Sequence, residues 1–239
     1  MRYEHFEKIW GGSWNDGVKI QNAVVVLFSN RTGSNLLVQY LKGSLNLSGG
    51  MEVFNPGPMI KAKNEGVKSF KDYVATLCHE RSVIKVSLVQ LKELVSNGVS
   101  FEGCEFLLTY RKDVLRQAIS FEIAKRTKQW VSNVEGRASV SGDDFDYDSV
   151  NLTVKNLSRT LSEQFSFMSS VGFCFLPIMY EDLNHEPVSV MNKVFDFLGV
   201  QPLIRTEDVN VKLQKQSGSV NSEWVDKYRE EFFRRISVC

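Results

Sequence analysis

The run Ala23-Val24-Val25-Val26-Leu27-Phe28 leaves a chain few ways to fold. Six successive apolar residues, largely β-branched, have no polar face to turn to water, so they predict a strand covered on both sides, as in a parallel sheet. The run breaks at Ser29-Asn30-Arg31-Thr32-Gly33, and Ser34 to Gly43 then reads as a helix with Leu36, Leu37, Tyr40 and Leu41 on its apolar side. A loop between a buried strand and a helix N-terminus gathers unpaired N–H groups at the positive end of the helix dipole, which favours an anion.

The same order repeats downstream. Val83 to Val86, Glu105 to Tyr110 and Phe173 to Tyr180 read as further strands. Helices are predicted over 67 to 79, 89 to 96, 113 to 130, 150 to 170 and 187 to 198, with Asp113 an N-cap and Gly199 a C-terminal stop. Gly49 to Pro58 is dense in turn formers and reads as irregular structure. A charged helix is expected from about Ser222. The alternation predicts an α/β fold, with a mostly parallel central sheet flanked by helices. One domain over 1–239 is expected, with residues 1–22 an extension packed through Trp10 and Trp14, and the Ser, Gly and Asp-rich segment 132–149 a mobile loop.

The 239 residues carry 29 basic and 28 acidic side chains, a net charge of +1, so no global field points to nucleic acid or an anionic membrane, and any anion site must be local. Cys78, Cys104, Cys174 and Cys239 lie far apart, without the spacing of a zinc site or a disulfide framework. Neither a signal peptide nor a stretch of roughly 20 apolar residues is present, so a soluble protein with reduced thiols in the cytoplasm is expected.

Within the first loop, Arg31 adds a full charge, and Ser34 and Asn35 add side-chain donors. A nucleotide-binding P-loop would place Lys and Ser or Thr after its last glycine; here Ser34 and Asn35 follow Gly33, which argues against a nucleoside or sugar kinase. Arg111 at a strand end and Ser120 two turns into the next helix form a second place for a phosphate. By the residues alone, each pocket could equally be an ordinary strand-to-helix turn.

Arg31-Thr32-Gly33-Ser34-Asn35-Leu36-Leu37 resembles the Arg-Ser-Gly-Ser-Thr-Leu-Leu loop of sulfotransferases. Arg111, Asp113, Gln117, Ala118 and Ser120 match their second segment, and Tyr180-Glu181-Asp182-Leu183, Phe197-Leu198-Gly199 and Glu223-Trp224 match later ones. The chain is similar to bacterial trehalose 2-sulfotransferase-like enzymes over about 23 to 230. The resemblance implies a P-loop-like sulfotransferase fold and a 3′-phosphoadenosine 5′-phosphosulfate (PAPS) donor. On that donor the 5′-phosphosulfate falls on Arg31, Thr32, Gly33, Ser34 and Asn35, and the 3′-phosphate on Arg111 and Ser120, with Lys215 and Gln216 closing over it.

It further implies Glu52 as the base, standing before Val53-Phe54 where the family has an aromatic pair, and Lys85 near the sulfonate or the acceptor. By their residues alone, Glu52 is an exposed loop carboxylate and Lys85 a strand-end lysine in water. The expected reaction is metal-free transfer to a hydroxyl of a carbohydrate or glycolipid-like acceptor by a homodimer, without nucleic acid or an integral membrane segment. A nucleotide-binding module that has lost turnover is the alternative. Asn35 for threonine and Val53 for an aromatic depart from the family, and residues 55 to 66 are unlike it, so trehalose itself is not carried across. His5, His79 and His185 fall in no matching motif; Glu181 and Asp182 are expected to cap the next element, away from the chemistry.

Overall fold

The apolar run forms β1 (Ala23–Phe28), buried at every position, at the centre of a five-stranded sheet. The computed structural model describes residues 5–12, 14–50, 52–78, 80–130, 138–212 and 218–237. Ahead of β1 lies α1 (His5–Trp10); after it come α2 (Ser34–Leu45), β2 (Ser48–Gly49), α3 (Pro56–Asn64) and α4 (Phe70–Leu77). The chain continues through β3 (Ser82–Ser87), α5 (Leu88–Ser96), β4 (Glu105–Tyr110), α6 (Val114–Thr127) and α7 (Tyr147–Ser170). It ends with β5 (Phe175–Met179), α8 (Tyr180–His185), α9 (Pro187–Leu198) and α10 (Ser219–Ile236).

All strand pairs are parallel, in the order β2-β3-β1-β4-β5. The chain builds to one side of β1 with β2 and β3, then crosses to the other with β4 and β5, so the carboxyl end of β1 is a topological switch point, where open α/β sheets bind ligands. Phe28 lies opposite Ser87 and Tyr110 opposite Met179, which brings the loops after four strands to one edge.

Side chains alternate between two cores. Ala23, Val25, Leu27, Ile84, Val86, Phe106 and Leu108 pack toward α1, α4, α5 and α7, whereas Val24, Val26, Val83 and Leu107 pack under α2 and α9. A third core joins α6, α7 and α10 around Trp224, which is fully buried.

Several sequence expectations change. The segment after Gly49 is not all irregular: Ser48–Gly49 pairs with β3, and Pro56–Asn64 is helical. Gly49 reads as a turn residue, yet a Cβ there would lie 2.6 Å from the Val83 carbonyl oxygen, so this edge pairing requires glycine. Residues 1–22 include a helix, with Phe6 stacked on Trp14 and Trp10 on Tyr73. Part of the expected loop 132–149 lies outside the described residues; its later part forms a 3-10 turn at Gly142–Asp144, held by Trp224 Nε1 on the Ser141 carbonyl and Lys227 on that of Gly142, and α7 starts ahead of the predicted 150. Among the described residues, no helix is long and apolar enough to cross a membrane.

Candidate functional site

The loop between β1 and α2 takes its shape from two residues in left-handed conformations, Arg31 at φ 67° and Gly33 at φ 76°. Gly33 could not be otherwise: a Cβ there would lie 2.4 Å from the Tyr180 ring. Gly33 is also the N-cap of α2, and among the described residues no side chain caps that helix, so its first-turn N–H groups lack a side-chain acceptor there. Thr32 and Ser34 are buried. The Thr32 hydroxyl donates to the Ser29 carbonyl at 2.8 Å and meets the Thr109 hydroxyl at 2.9 Å, tying the loop to β4. Gln117 of α6 donates to the Asn30 carbonyl at 2.8 Å and to Ser29 Oγ at 3.1 Å, which gives that glutamine of the second segment a physical role.

Two guanidinium groups meet behind the loop. Arg31 Nε donates to Ser120 Oγ at 2.9 Å and Arg31 Nη1 to the Trp130 carbonyl at 2.9 Å. Burial and then the charge of Arg111 hold Arg31 below its ordinary value, with the Tyr180 hydroxyl opposing them. The two guanidinium groups are thus near enough to repel each other. Arg111 lies 4.6 Å from the Tyr180 ring centroid and 3.5 Å from Glu181 Oε1, yet its Nε is buried and makes no hydrogen bond among the described residues. Two neighbouring cations and an uncapped helix start are what a polyanion would satisfy.

On the other side of Asn35 lies the second half of the site. Lys85 is 3% exposed, not the solvated strand-end lysine its residue type suggests. The period of two along β3 turns Lys85 toward α2, where its ammonium donates to Asn35 Oδ1 at 2.6 Å and to Glu52 Oε1 at 2.9 Å, 4.4 Å from the Phe28 ring centroid. Burial lowers its pKa, and the charge and hydrogen bond of Glu52 oppose that. Glu52, with its side chain 40% exposed, keeps one face toward solvent. The structure thus brings Arg31, Thr32, Gly33, Ser34, Asn35, Glu52, Lys85, Arg111 and Ser120 to one sheet edge; Lys215 and Gln216 lie outside the described residues, as does His79.

Tyr180 was missed as a site residue, although the Tyr-Glu-Asp-Leu segment marked it: it wedges against Gly33 and carries Arg111. Glu181 is not remote from the site. It accepts from the Lys112 and Asp113 N–H groups at 3.1 and 3.3 Å and faces Arg111, so it caps the entry to α6 while holding an arginine of the pocket. Of the basic side chains on α6, Arg116 pairs with Asp113, Lys125 with Glu122, and Arg126 reaches the Asp144 carbonyl and the Trp224 ring. Among the described residues, no cluster of three His, Cys, Asp or Glu could hold a metal ion.

A five-stranded parallel sheet thus carries Arg31, Arg111 and the Lys85–Glu52 pair near its switch point. Residues 65–231 match the Stf0 sulphotransferase family, and the chain belongs to that family. It is 25% identical over 126 residues to trehalose 2-sulfotransferase of Mycobacterium tuberculosis, a match covering 53% of this chain and 46% of that protein. The chain therefore spans less than half of that relative's length. Among solved structures, the sulfotransferase domain from the curacin biosynthetic pathway has a TM-score of 0.55 at 14% identity, over 84% of this chain and 82% of that one, a likeness of fold. The sulfotransferase domain of the Synechococcus PCC 7002 olefin synthase has a TM-score of 0.49 at 18% identity, over 90% of each chain. Lys85, Arg111 and Ser120 fall within the family match, whereas the first loop and Glu52 precede it.

Proposed function

We propose that the chain transfers a sulfuryl group from PAPS to a hydroxyl of a carbohydrate or glycolipid-like acceptor, with Glu52 as the base. The observation that carries this reading is the pair of half-buried guanidinium groups, Arg31 and Arg111, near the start of α2, with the Lys85–Glu52 pair one residue away at Asn35. The Arg111 guanidinium and the first-turn amides of α2, which no side chain caps among the described residues, fit the donor's two phosphates. Arg111 and Ser120 would take the 3′-phosphate, the 33 to 35 amides the 5′ side, and Arg31, rooted in the loop but reaching Ser120, would bear on both.

PAPS supplies the activated sulfuryl group. The protein contributes alignment and neutralisation of negative charge, as in phosphoryl transfer. Glu52 accepts the acceptor's hydroxyl proton at its carboxylate. While Glu52 is ionised, Lys85 is its counter-ion; when Glu52 takes up a proton, the buried ammonium loses that counter-charge and is left to stabilise anionic oxygens beside Asn35. Cys78, Cys104 and Cys174 are free thiols, which accords with a reducing cytoplasm, and the resemblance carries a homodimer into this reading.

Incubation with sulfur-labelled PAPS and a panel of sugars and glycolipids that includes trehalose tests the reading. Label in an acceptor, together with calorimetric binding of adenosine 3′,5′-bisphosphate, supports it. Absence of bisphosphate binding at low salt overturns it, and tight binding without transfer to any acceptor selects a nucleotide-binding module instead.

A further inference from the structure

The base has a supporting chain that no motif announces. Asn55 is the N-cap of α3, a position where asparagine ordinarily spends its side chain on the first-turn N–H groups, yet it makes no such bond. Pro58, at the third helical position, removes one of the two donors it could have taken there. Its amide is spent elsewhere: Asn55 Nδ2 donates to Glu52 Oε2 at 2.9 Å, and Asn55 Oδ1 accepts from Gln90 Nε2 at 2.9 Å. Gln90 is 2% exposed, and its Oε1 accepts from the Ser87 backbone N–H at 2.9 Å. A backbone N–H can only donate, so it fixes the flip of Gln90, which fixes Asn55, which in turn presents an N–H rather than an oxygen to Glu52. Lys85 holds the other carboxylate oxygen at 2.9 Å.

We propose that Asn55 and Gln90 are positioning residues for Glu52: a one-way chain from the β3–α5 junction that clamps the carboxylate against Lys85 and orients it for the acceptor hydroxyl. The proposal rests on the reading of Glu52 as the base. The carboxylate sits on a loop, and a base is useful only within hydrogen-bond reach of the proton it takes. A mobile loop glutamate becomes a fixed one only because both its oxygens are held.

Asn55→Ala and Asn55→Asp separate this from a structural role. Aspartate matches asparagine in shape and still accepts from Gln90 Nε2, so a role confined to packing leaves kcat in Asn55→Asp no lower than in Asn55→Ala. In the proposed chain that change puts an acceptor against Glu52, and kcat should fall about 10-fold for Asn55→Ala and on the order of 100-fold for Asn55→Asp. Bisphosphate affinity should stay within about 3-fold in both. Without any acceptor, the Asn55 side-chain amide protons should exchange slowly with solvent in the wild type and fast in Gln90→Met and Glu52→Ala. Wild-type kcat in Asn55→Asp, or equally fast exchange in all three proteins, overturns the proposal while leaving the base in place. Wild-type kcat in Glu52→Gln removes the base itself, and the chain's purpose with it.

Discussion

The two halves of the site are built by different means. The donor half is a backbone device: left-handed turns at Arg31 and Gly33, an uncapped helix start, and a tyrosine ring filling the space a Cβ would need. The acceptor half is a side-chain device, in which Lys85, Asn35, Glu52, Asn55 and Gln90 hold one another across as many as 50 residues of sequence. On the proposed reading, grip and turnover are separable. Damage to the first half should appear in donor affinity, and damage to the second in kcat.

Glu52→Gln is the sharpest separation: kcat should fall about 10² to 10⁴-fold, with bisphosphate affinity unchanged by calorimetry. Gly33→Ala should do the reverse. Left-handed strain and the clash with Tyr180 together cost about 3 kcal/mol, so bisphosphate affinity should drop on the order of 100-fold, with a lower melting temperature. Arg111→Ala removes charged hydrogen bonds worth about 1.5 to 3 kcal/mol, a loss of about 10- to 100-fold in bisphosphate affinity that should shrink as salt is raised. Were Arg111→Ala to lower kcat and spare affinity, the division between the halves would fail.

The smallest effect lies outside both halves. Burial pushes the Glu122 carboxyl up, but hydrogen bonds from Thr153, Lys125 and Ser149 and the Lys125 charge outweigh it and hold the group below its ordinary 4.5. A depressed carboxylate contributes stability that is complete above the unfolded value and lost as pH falls through the folded one. Glu122→Gln should therefore cost about 1 kcal/mol at pH 7 by denaturant unfolding, with the difference from wild type shrinking below pH 4.5, and should leave both affinity and kcat alone.

This contrast also decides what could be read in advance. The donor half is contiguous: a β-branched run, a five-residue break and an amphipathic helix announce strand, anion loop and helix, and Arg111 and Ser120 sit in one short segment. β1 and β4 were legible to the residue because a strand buried on both faces leaves a continuous apolar signature. The acceptor half was legible only through resemblance, since nothing in Met51-Glu52-Val53-Phe54 says that a lysine in another strand will meet the carboxylate. Lys85 looked solvated because charge type speaks for water, and tertiary pairing overrode it. α3 was hidden by the glycines and prolines around Asn55, which break helices in their interior but serve at the first turn.

The contact between Tyr180 and Gly33 joins residues 147 positions apart, and it carries a consequence for how the molecule is assembled. The glycine turn emerges early from a ribosome, whereas the ring that braces it arrives only after the outermost strand has been threaded beside β4. The anion loop's brace is thus supplied last, by an edge of the sheet, and a nascent or truncated chain ending before that strand would carry the loop without it.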